Sequence, residues 1–262
     1  MSALFAFCKE RFKSKPYLFL LAAYVLFCLA SCVYFAIISQ TRNAFLSIAY
    51  ALIALAVPLV EHLFNLRCGN LFIFITLLLP VGGLLGTAYD FYTLIPVFDT
   101  LLHTHSGFLF ACVGFALMKR ILKNENTPTA NLACLLFAFF FSLGIAVLWE
   151  MFEYASTELL GVDMQEDMLV NEIRSYLLAG GHNDITVLEN ITQTIIVYGD
   201  GQIYTVEGGY LDLGVFDTLI DMLVCLIGAI FFLLLLGVDK PLFKGKIQKS
   251  VIPTVLLKTD DL

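Results

Sequence analysis

Three pairs of ionisable side chains sit inside otherwise apolar stretches of this 262-residue sequence: Asp99 with His103, Glu150 with Glu153, and Asp217 with Asp221. The members of each pair are three or four residues apart, so on an α-helix they share one face, separated by about 4.5 to 6 Å along the axis. Ionisable groups at membrane depth are costly, and those that are retained mark ion, proton or substrate sites. Carboxylate oxygens with an imidazole nitrogen, presented by facing helices, form a ligand set for a divalent metal. The same groups can also relay protons.

Each pair belongs to a longer stripe. Asp99, His103, Ser106 and Gly107 form the first, and Glu150, Glu153, Tyr154 and Thr157, beside Trp149, form the second. Asp217, Asp221, Cys225 and Gly228 form the third. The runs Phe98-Asp99-Thr100-Leu101-Leu102-His103 and Phe216-Asp217-Thr218-Leu219-Ile220-Asp221 make a short internal repeat, which predicts two helices presenting similar chemistry to one space.

Five carboxylates in these stripes accompany one imidazole, and segments 98–107, 147–160 and 214–225 contain no Lys or Arg. Like charges so close cannot all ionise without compensation, so either a cation or protons must neutralise them. The reading is a divalent metal held by Asp99, His103, Glu150, Glu153, Asp217 and Asp221. Glu150, the deeper member of its pair, is the choice for a general base acting on metal-activated water.

Plainer roles compete. Asp99 and Asp217 stand at helix starts, where a carboxylate caps free amides and suits the helix dipole. Glu153 alone could be an interfacial residue in water. Capping does not account for His103, Glu150 or Asp221, which are set deeper. His105 falls on the face opposite His103 and reads as a helix-packing hydrogen-bonder. Glu61 and His62 read as interfacial, and Asp90 and Tyr92 lie near the outer face with no spacing that ties them to the site.

The elements that must position these residues follow from composition. The chain is 60% hydrophobic and 14% charged, and several stretches reach the roughly 20 apolar residues that cross a bilayer core. Six spans are expected: Pro16–Ile38, Ala44–Phe64, Leu71–Ala88, Phe98–Met118, Asn131–Tyr154 and Gly214–Gly237. The third is interrupted by Pro80, Gly82, Gly83 and Gly86. Thirteen of the 15 Lys and Arg residues then fall on one side: Lys9, Arg11, Lys13, Lys15, Arg67, Lys119, Arg120, Lys123, Lys240, Lys244, Lys246, Lys249 and Lys258. Only Arg42 and Arg174 fall on the other, so both termini are expected in the cytoplasm and all three pairs near the outer face. Basic residues and an apolar run ending in Leu29-Ala30-Ser31-Cys32 resemble a cleaved lipoprotein signal, but the chain stays apolar through Ile38 and reads as a retained span.

Net charge is −7, set mostly by the outer loop, which argues against nucleic-acid binding. Of the seven cysteines, Cys8 and Cys68 fall on the cytoplasmic side and Cys28, Cys32, Cys112, Cys134 and Cys225 lie in spans. No disulfide framework is implied, and they read as small packing residues.

Residues 155–213 break the membrane pattern, with ten Asp and Glu residues against Arg174 alone. Asp163 with Glu166 fits a capping box, and Leu169, Ile173, Tyr176 and Leu177 repeat at helical spacing, so a helix ending at Gly180-Gly181 is expected. Ile191–Tyr198 and Gln202–Val206 around Gly199-Asp200-Gly201 predict a β-hairpin. Asn190-Ile191-Thr192 also matches a glycosylation acceptor. The expected fold is an all-α polytopic membrane protein with six transmembrane helices. Its organisation is helices 1–5 over residues 1–154, a small α+β extracytoplasmic insert over 155–213, and the sixth helix with a cytoplasmic tail over 214–262.

Taken together, Asp99-x-x-x-His103-x-x-x-Gly107-Phe108, Trp149-Glu150-x-x-Glu153-Tyr154 and Asp217-Thr218-x-x-Asp221 with Gly228 resemble the YjdF-type family of bacterial inner-membrane proteins, and more distantly the VanZ-like membrane proteins. The resemblance covers the last three spans. It implies an inner-membrane location, and the VanZ-like link implies a connection with the cell envelope and glycopeptide tolerance. Cys225 stands where the pattern leads one to expect Asn, and the outer insert is longer than the family suggests. Three readings stay open: a metal site hydrolysing a lipid-linked or envelope substrate, a proton-coupled transporter, and an envelope scaffold or regulator that binds a partner through its insert.

Overall fold

The computed structural model describes residues 2–256, so Lys258 of the basic tail lies outside the described residues. In chain order the elements are α1 (Ser2–Arg11), α2 (Lys15–Ile37), α3 (Thr41–Leu63), β1 (Leu66–Arg67), α4 (Asn70–Ala88), α5 (Phe91–Leu94), α6 (Phe98–Ile121) and α7 (Pro128–Leu160). There follow β2 (Met168–Val170), β3 (Ile173–Ser175), β4 (Thr186–Leu188), β5 (Gln193–Tyr198), β6 (Gln202–Glu207) and β7 (Tyr210–Asp212). The chain ends with α8 (Val215–Val238), a π-helical turn Asp239–Phe243, α9 (Lys246–Val251) and β8 (Thr254–Val255). Among the described residues six helices are long and apolar enough to cross a membrane: α2, α3, α4, α6, α7 and α8. This is a multi-pass membrane protein, and large side chains that point away from its core, such as Phe19, Leu55 and Leu234, meet lipid rather than water.

The chain divides into two compact units, the first running to Ala146 and resuming at Leu223, the second spanning Val147–Met222. In the first unit the core gathers Tyr17, Tyr24, Ile73, Leu84, Cys112 and Phe232. Polar atoms at this depth find partners inside the protein, as a bilayer requires. The Tyr24 hydroxyl donates to the Tyr50 carbonyl at 2.6 Å and the Tyr89 hydroxyl to Ser31 Oγ at 2.9 Å.

The expected interruption of the third span does not occur. α4 runs unbroken through Pro80. Its glycines are packing sites: a Cβ at Gly82, Gly83 or Gly86 would collide with Leu102, Tyr50 or Tyr92. Proline removes one ladder hydrogen bond, and neighbours seated in the adjacent glycines hold the helix together around it.

Glu61 also departs from expectation. It is 1% exposed rather than interfacial. Its Oε2 accepts from Arg11 Nε at 2.9 Å and the Tyr17 hydroxyl at 3.1 Å, and its Oε1 accepts from Arg11 Nη2 at 2.8 Å and the Cys68 amide at 2.7 Å. Burial, and then the Glu61 charge, push the Cys68 thiol up. Nearby, the C-terminal segment is stitched down. Asp239 accepts the Ile247 and Gln248 amides at the start of α9 at 3.0 and 2.9 Å, β8 pairs antiparallel with β1, and the Leu256 amide donates to the Asn65 carbonyl at 2.8 Å.

The second unit holds the end of α7, the start of α8 and three two-stranded antiparallel sheets, β2 with β7, β3 with β4 and β5 with β6. The β5–β6 hairpin forms as its sequence predicts, with Tyr198 opposite Gln202. Gly199 and Gly201 take the positive φ values of 54° and 84° that its turn demands.

The expected helix from the Asp163 cap to Gly180-Gly181 does not form, and the regular structure described between α7 and α8 is all strand. Met168–Val170 pairs with residues 210–212 and Ile173–Ser175 with residues 186–188, partners that lie well along the chain. The Glu166 amide donates to Asp217 Oδ2 at 2.9 Å instead of closing a capping box. Leu169 and Ile173 fit either period, and long-range pairing overrides local propensity here.

Candidate metal centre

The first stripe is organised where α6 crosses the later part of α8. A Cβ at Gly107 would land on the Cys225 carbonyl, and one at Gly228 on the Thr104 carbonyl. The two glycines that complete the sequence motifs therefore let the helix backbones touch, the usual service of small residues in membrane helices. The contact places Cys225 beside His103. Its Sγ lies 3.8 Å from His103 Nδ1 and donates to the His103 carbonyl at 3.2 Å. Ser106 Oγ donates to the same carbonyl at 2.8 Å, and Ser142 Oγ donates to the Gly107 carbonyl at 2.7 Å. Asp99 Oδ1 lies 3.5 Å from His103 Nε2. The imidazole is thus buried, with a carboxylate at one nitrogen and a thiol at the other. His105 turns away, its Nε2 lying 2.8 Å from the Ile75 carbonyl, in a packing role.

The second unit carries the remaining acids. Glu150, Glu153 and Asp221 are buried, and one oxygen from each carboxylate lies within 4.8 Å of those from the other two. Asp217 and Asp221 also present oxygens within 4.8 Å of each other. Trp149 Nε1 donates to Glu153 Oε1 at 2.7 Å and fixes that side chain. The end of α7 is joined to the start of α8 by the loop between them. The Met164 amide donates to Thr157 Oγ1 at 3.2 Å, and Gln165 Nε2 donates to Thr218 Oγ1 at 2.8 Å.

Asp99 and Asp217 both stand in the first turns of their helices. The N-cap of α6 is Val97, with no side-chain cap bond, and Asp99 sits beyond it in the first turn beside His103. At the start of α8 the Phe216 amide donates to Asp212 Oδ2 at 2.8 Å. Asp217 instead accepts the Glu166 amide. Asp90 takes a left-handed conformation at the start of α5, and the Tyr92 ring packs on Phe98. The supporting contacts of Ser142 and Asp212 were not among the residues singled out by sequence. A signal existed for Ser142, which lies eight and eleven residues before Glu150 and Glu153 and so shares their helix face.

Buried His, Glu and Asp side chains that could hold a metal ion are therefore present: three carboxylates within 4.8 Å of one another, and the buried His103. Carboxylate and imidazole donors suit a hard or borderline divalent cation.

Fold and site together define a multi-pass helical membrane protein with acids concentrated in its buried interior. The chain belongs to the family described as "Predicted membrane protein (DUF2238)", whose model matches residues 18–240. The match runs through all six membrane helices and the strands between α7 and α8, and the YjdF-type resemblance agrees with it. No curated protein and no solved structure matches the chain.

Proposed function

We propose that this protein binds a divalent metal through Glu150, Glu153, Asp221 and His103, with Asp99 and Asp217 as flanking carboxylates, and that the site serves hydrolysis of a lipid-linked or envelope substrate. The observation that carries the reading is the approach of three buried carboxylates to within 4.8 Å in helix segments devoid of Lys and Arg. Such a group needs a positive charge or protons. A bound metal would supply a water of lowered pKa at neutral pH. Asp99, 3.5 Å from His103 Nε2, would add its carboxylate at the same nitrogen of the ring. Trp149 holds Glu153 in place, and Glu150, the deeper glutamate, would take the proton from the attacking water.

The segregation of thirteen of 15 basic residues supports a cytoplasmic membrane location with both termini inside and this site toward the outer face. The distant VanZ-like resemblance points toward the envelope as well. The transporter reading is weakened, because the sequence feature in its favour was a broken third span and α4 is continuous.

Elemental analysis of the purified full chain tests the proposal. About one divalent metal ion per chain is expected, falling to background in Asp221→Asn, while Lys13→Gln retains it. Metal-free protein after exposure to Mg, Mn, Zn and Ca, or an unchanged content in Asp221→Asn, would sink the reading.

A further inference from the structure

A second site lies within the first unit, at the end where α3 and α6 finish. A cavity of about 480 Å³ is lined by Phe64, Leu117 and Phe137, with Asn65, Arg120 and Lys123 among its polar residues. Its volume is in the range of small-molecule pockets. Its chemistry is divided: aromatic and aliphatic surface on one part, guanidinium and ammonium on the other. That combination is unsuited to a metal ion and matches a molecule with an anionic head and an apolar body.

The turn that carries the cations is built structure. One residue before Arg120, buried Lys119 donates to the Glu125 carbonyl, Asn126 Oδ1 and Asn131 Oδ1, each at 2.9 Å. The turn after α6 is thereby tied to the start of α7. Within that turn the Lys123 amide donates to the Arg120 carbonyl at 3.0 Å. Arg120 itself is half-buried. Arg11, Arg67 and Arg174 each pair with a glutamate, Glu61, Glu10 and Glu172 respectively, whereas no ion pair to Arg120 is found among the described residues. Its fork of donors is suited to a phosphate.

The location selects the source. Lys119, Arg120 and Lys123 belong to the basic side of the chain, where the depth of the lipid headgroups meets the helix ends. Ile121, which also lines the cavity, is 66% exposed, so the apolar part of a ligand can continue onto the lipid-facing side of α6. We propose that this cavity binds the phosphate headgroup of an anionic membrane lipid, with Arg120 gripping the phosphate, Lys123 adding charge, and Phe64, Leu117 and Phe137 covering the glycerol and first acyl carbons. The proposal is independent of the metal site.

Native mass spectrometry of the full chain, titrated with phosphatidylglycerol or phosphatidylcholine, tests it. Wild type is expected to retain phosphatidylglycerol over phosphatidylcholine. Arg120→Gln should weaken that binding about fivefold, and the Arg120→Gln, Lys123→Gln pair about 25-fold, since each basic residue near the membrane surface contributes about 1 kcal/mol. Arg120→Lys, which keeps the charge but loses the fork, should fall between wild type and Arg120→Gln, and Arg42→Gln, at the opposite end of α3 from Phe64 and Asn65, should bind as wild type. If Arg120→Gln proves misfolded by circular dichroism, Lys123→Gln at an exposed position gives the same readout. Equal retention of the two lipids, unchanged binding in Lys123→Gln, or full displacement of the lipid by excess inorganic phosphate would each overturn the proposal, the last by marking a free-anion site.

Discussion

Glu61 receives two guanidinium nitrogens, a tyrosine hydroxyl and a backbone amide within 3.1 Å. Glu150, Glu153 and Asp221, equally buried, instead approach one another within 4.8 Å in segments without Lys or Arg. Both arrangements bury carboxylates, and both must offset the large cost of removing charge from water. The first does so with a fixed cation from its own chain, so nothing is left for an exchangeable partner and its role is to lock α1 onto α3. The second lies on helices that carry no Lys or Arg, and under the proposed function its compensating charge comes from a bound metal. Burial of an acid alone therefore says little about function. The identity of what neutralises it says much.

The contrast is sharpest when one carboxylate is removed from each cluster. Glu61→Ala leaves Arg11 buried without its counter-charge and should cost about 3–5 kcal/mol, read as a loss of unfolding stability in detergent. Glu150→Gln in metal-stripped protein should move stability the other way, by about 1 kcal/mol, because it relieves like-charge repulsion. Destabilisation of comparable size in both variants would show that the acid cluster is also a structural lock, and would erase the distinction.

The helix crossing that presents His103 offers a second, smaller test. Gly107→Ala drives a Cβ into the Cys225 carbonyl, and overpacking of this kind costs about 1–3 kcal/mol. Gly144→Ala has open space around it, and placing alanine in a helix interior should be neutral to stabilising by up to about 1 kcal/mol. Thermal unfolding of the two variants should therefore differ in sign. Equal behaviour would mean that the α6–α8 contact is loose, and that the position of His103 is not set by it.

Sequence alone located all six membrane helices, because a span of twenty apolar residues has few other uses. It also located the β5–β6 hairpin through Gly199 and Gly201, since only a tight turn needs those backbone angles. The i,i+4 spacing brought Asp99 to His103 and Asp217 to Asp221 without further help. What escaped depended on partners distant in the chain. Glu61 looked interfacial because Arg11, fifty residues away, was not visible as its partner. Residues 163–177 looked helical because the strands that capture them lie at 186–188 and 210–212. Pro80 looked like a break because the side chains that fill the neighbouring glycines come from α3, α5 and α6.

The smallest expected effect comes from acids that meet in water instead of in the interior. Asp167, in the loop before β2, is exposed, yet local desolvation of its carboxyl, then Asp163 and Asp212, push its protonation above the ordinary carboxylate range. The like-charge repulsion is the same in kind as that among Glu150, Glu153 and Asp221, but solvent screens it. A carboxyl that binds its proton more tightly in the folded than in the unfolded chain contributes stability below the unfolded titration, and that contribution is lost as pH rises through the folded one. Wild type should therefore lose a few tenths of a kcal/mol at most, after screening, over the interval just above the usual carboxylate titration. Asp167→Asn, which has no proton to lose, should not show that slope. Unfolding of the two proteins followed across this acid range measures the difference. Parallel curves would mean that the loop acids do not feel one another, and that close carboxylates in this chain matter only where water is excluded.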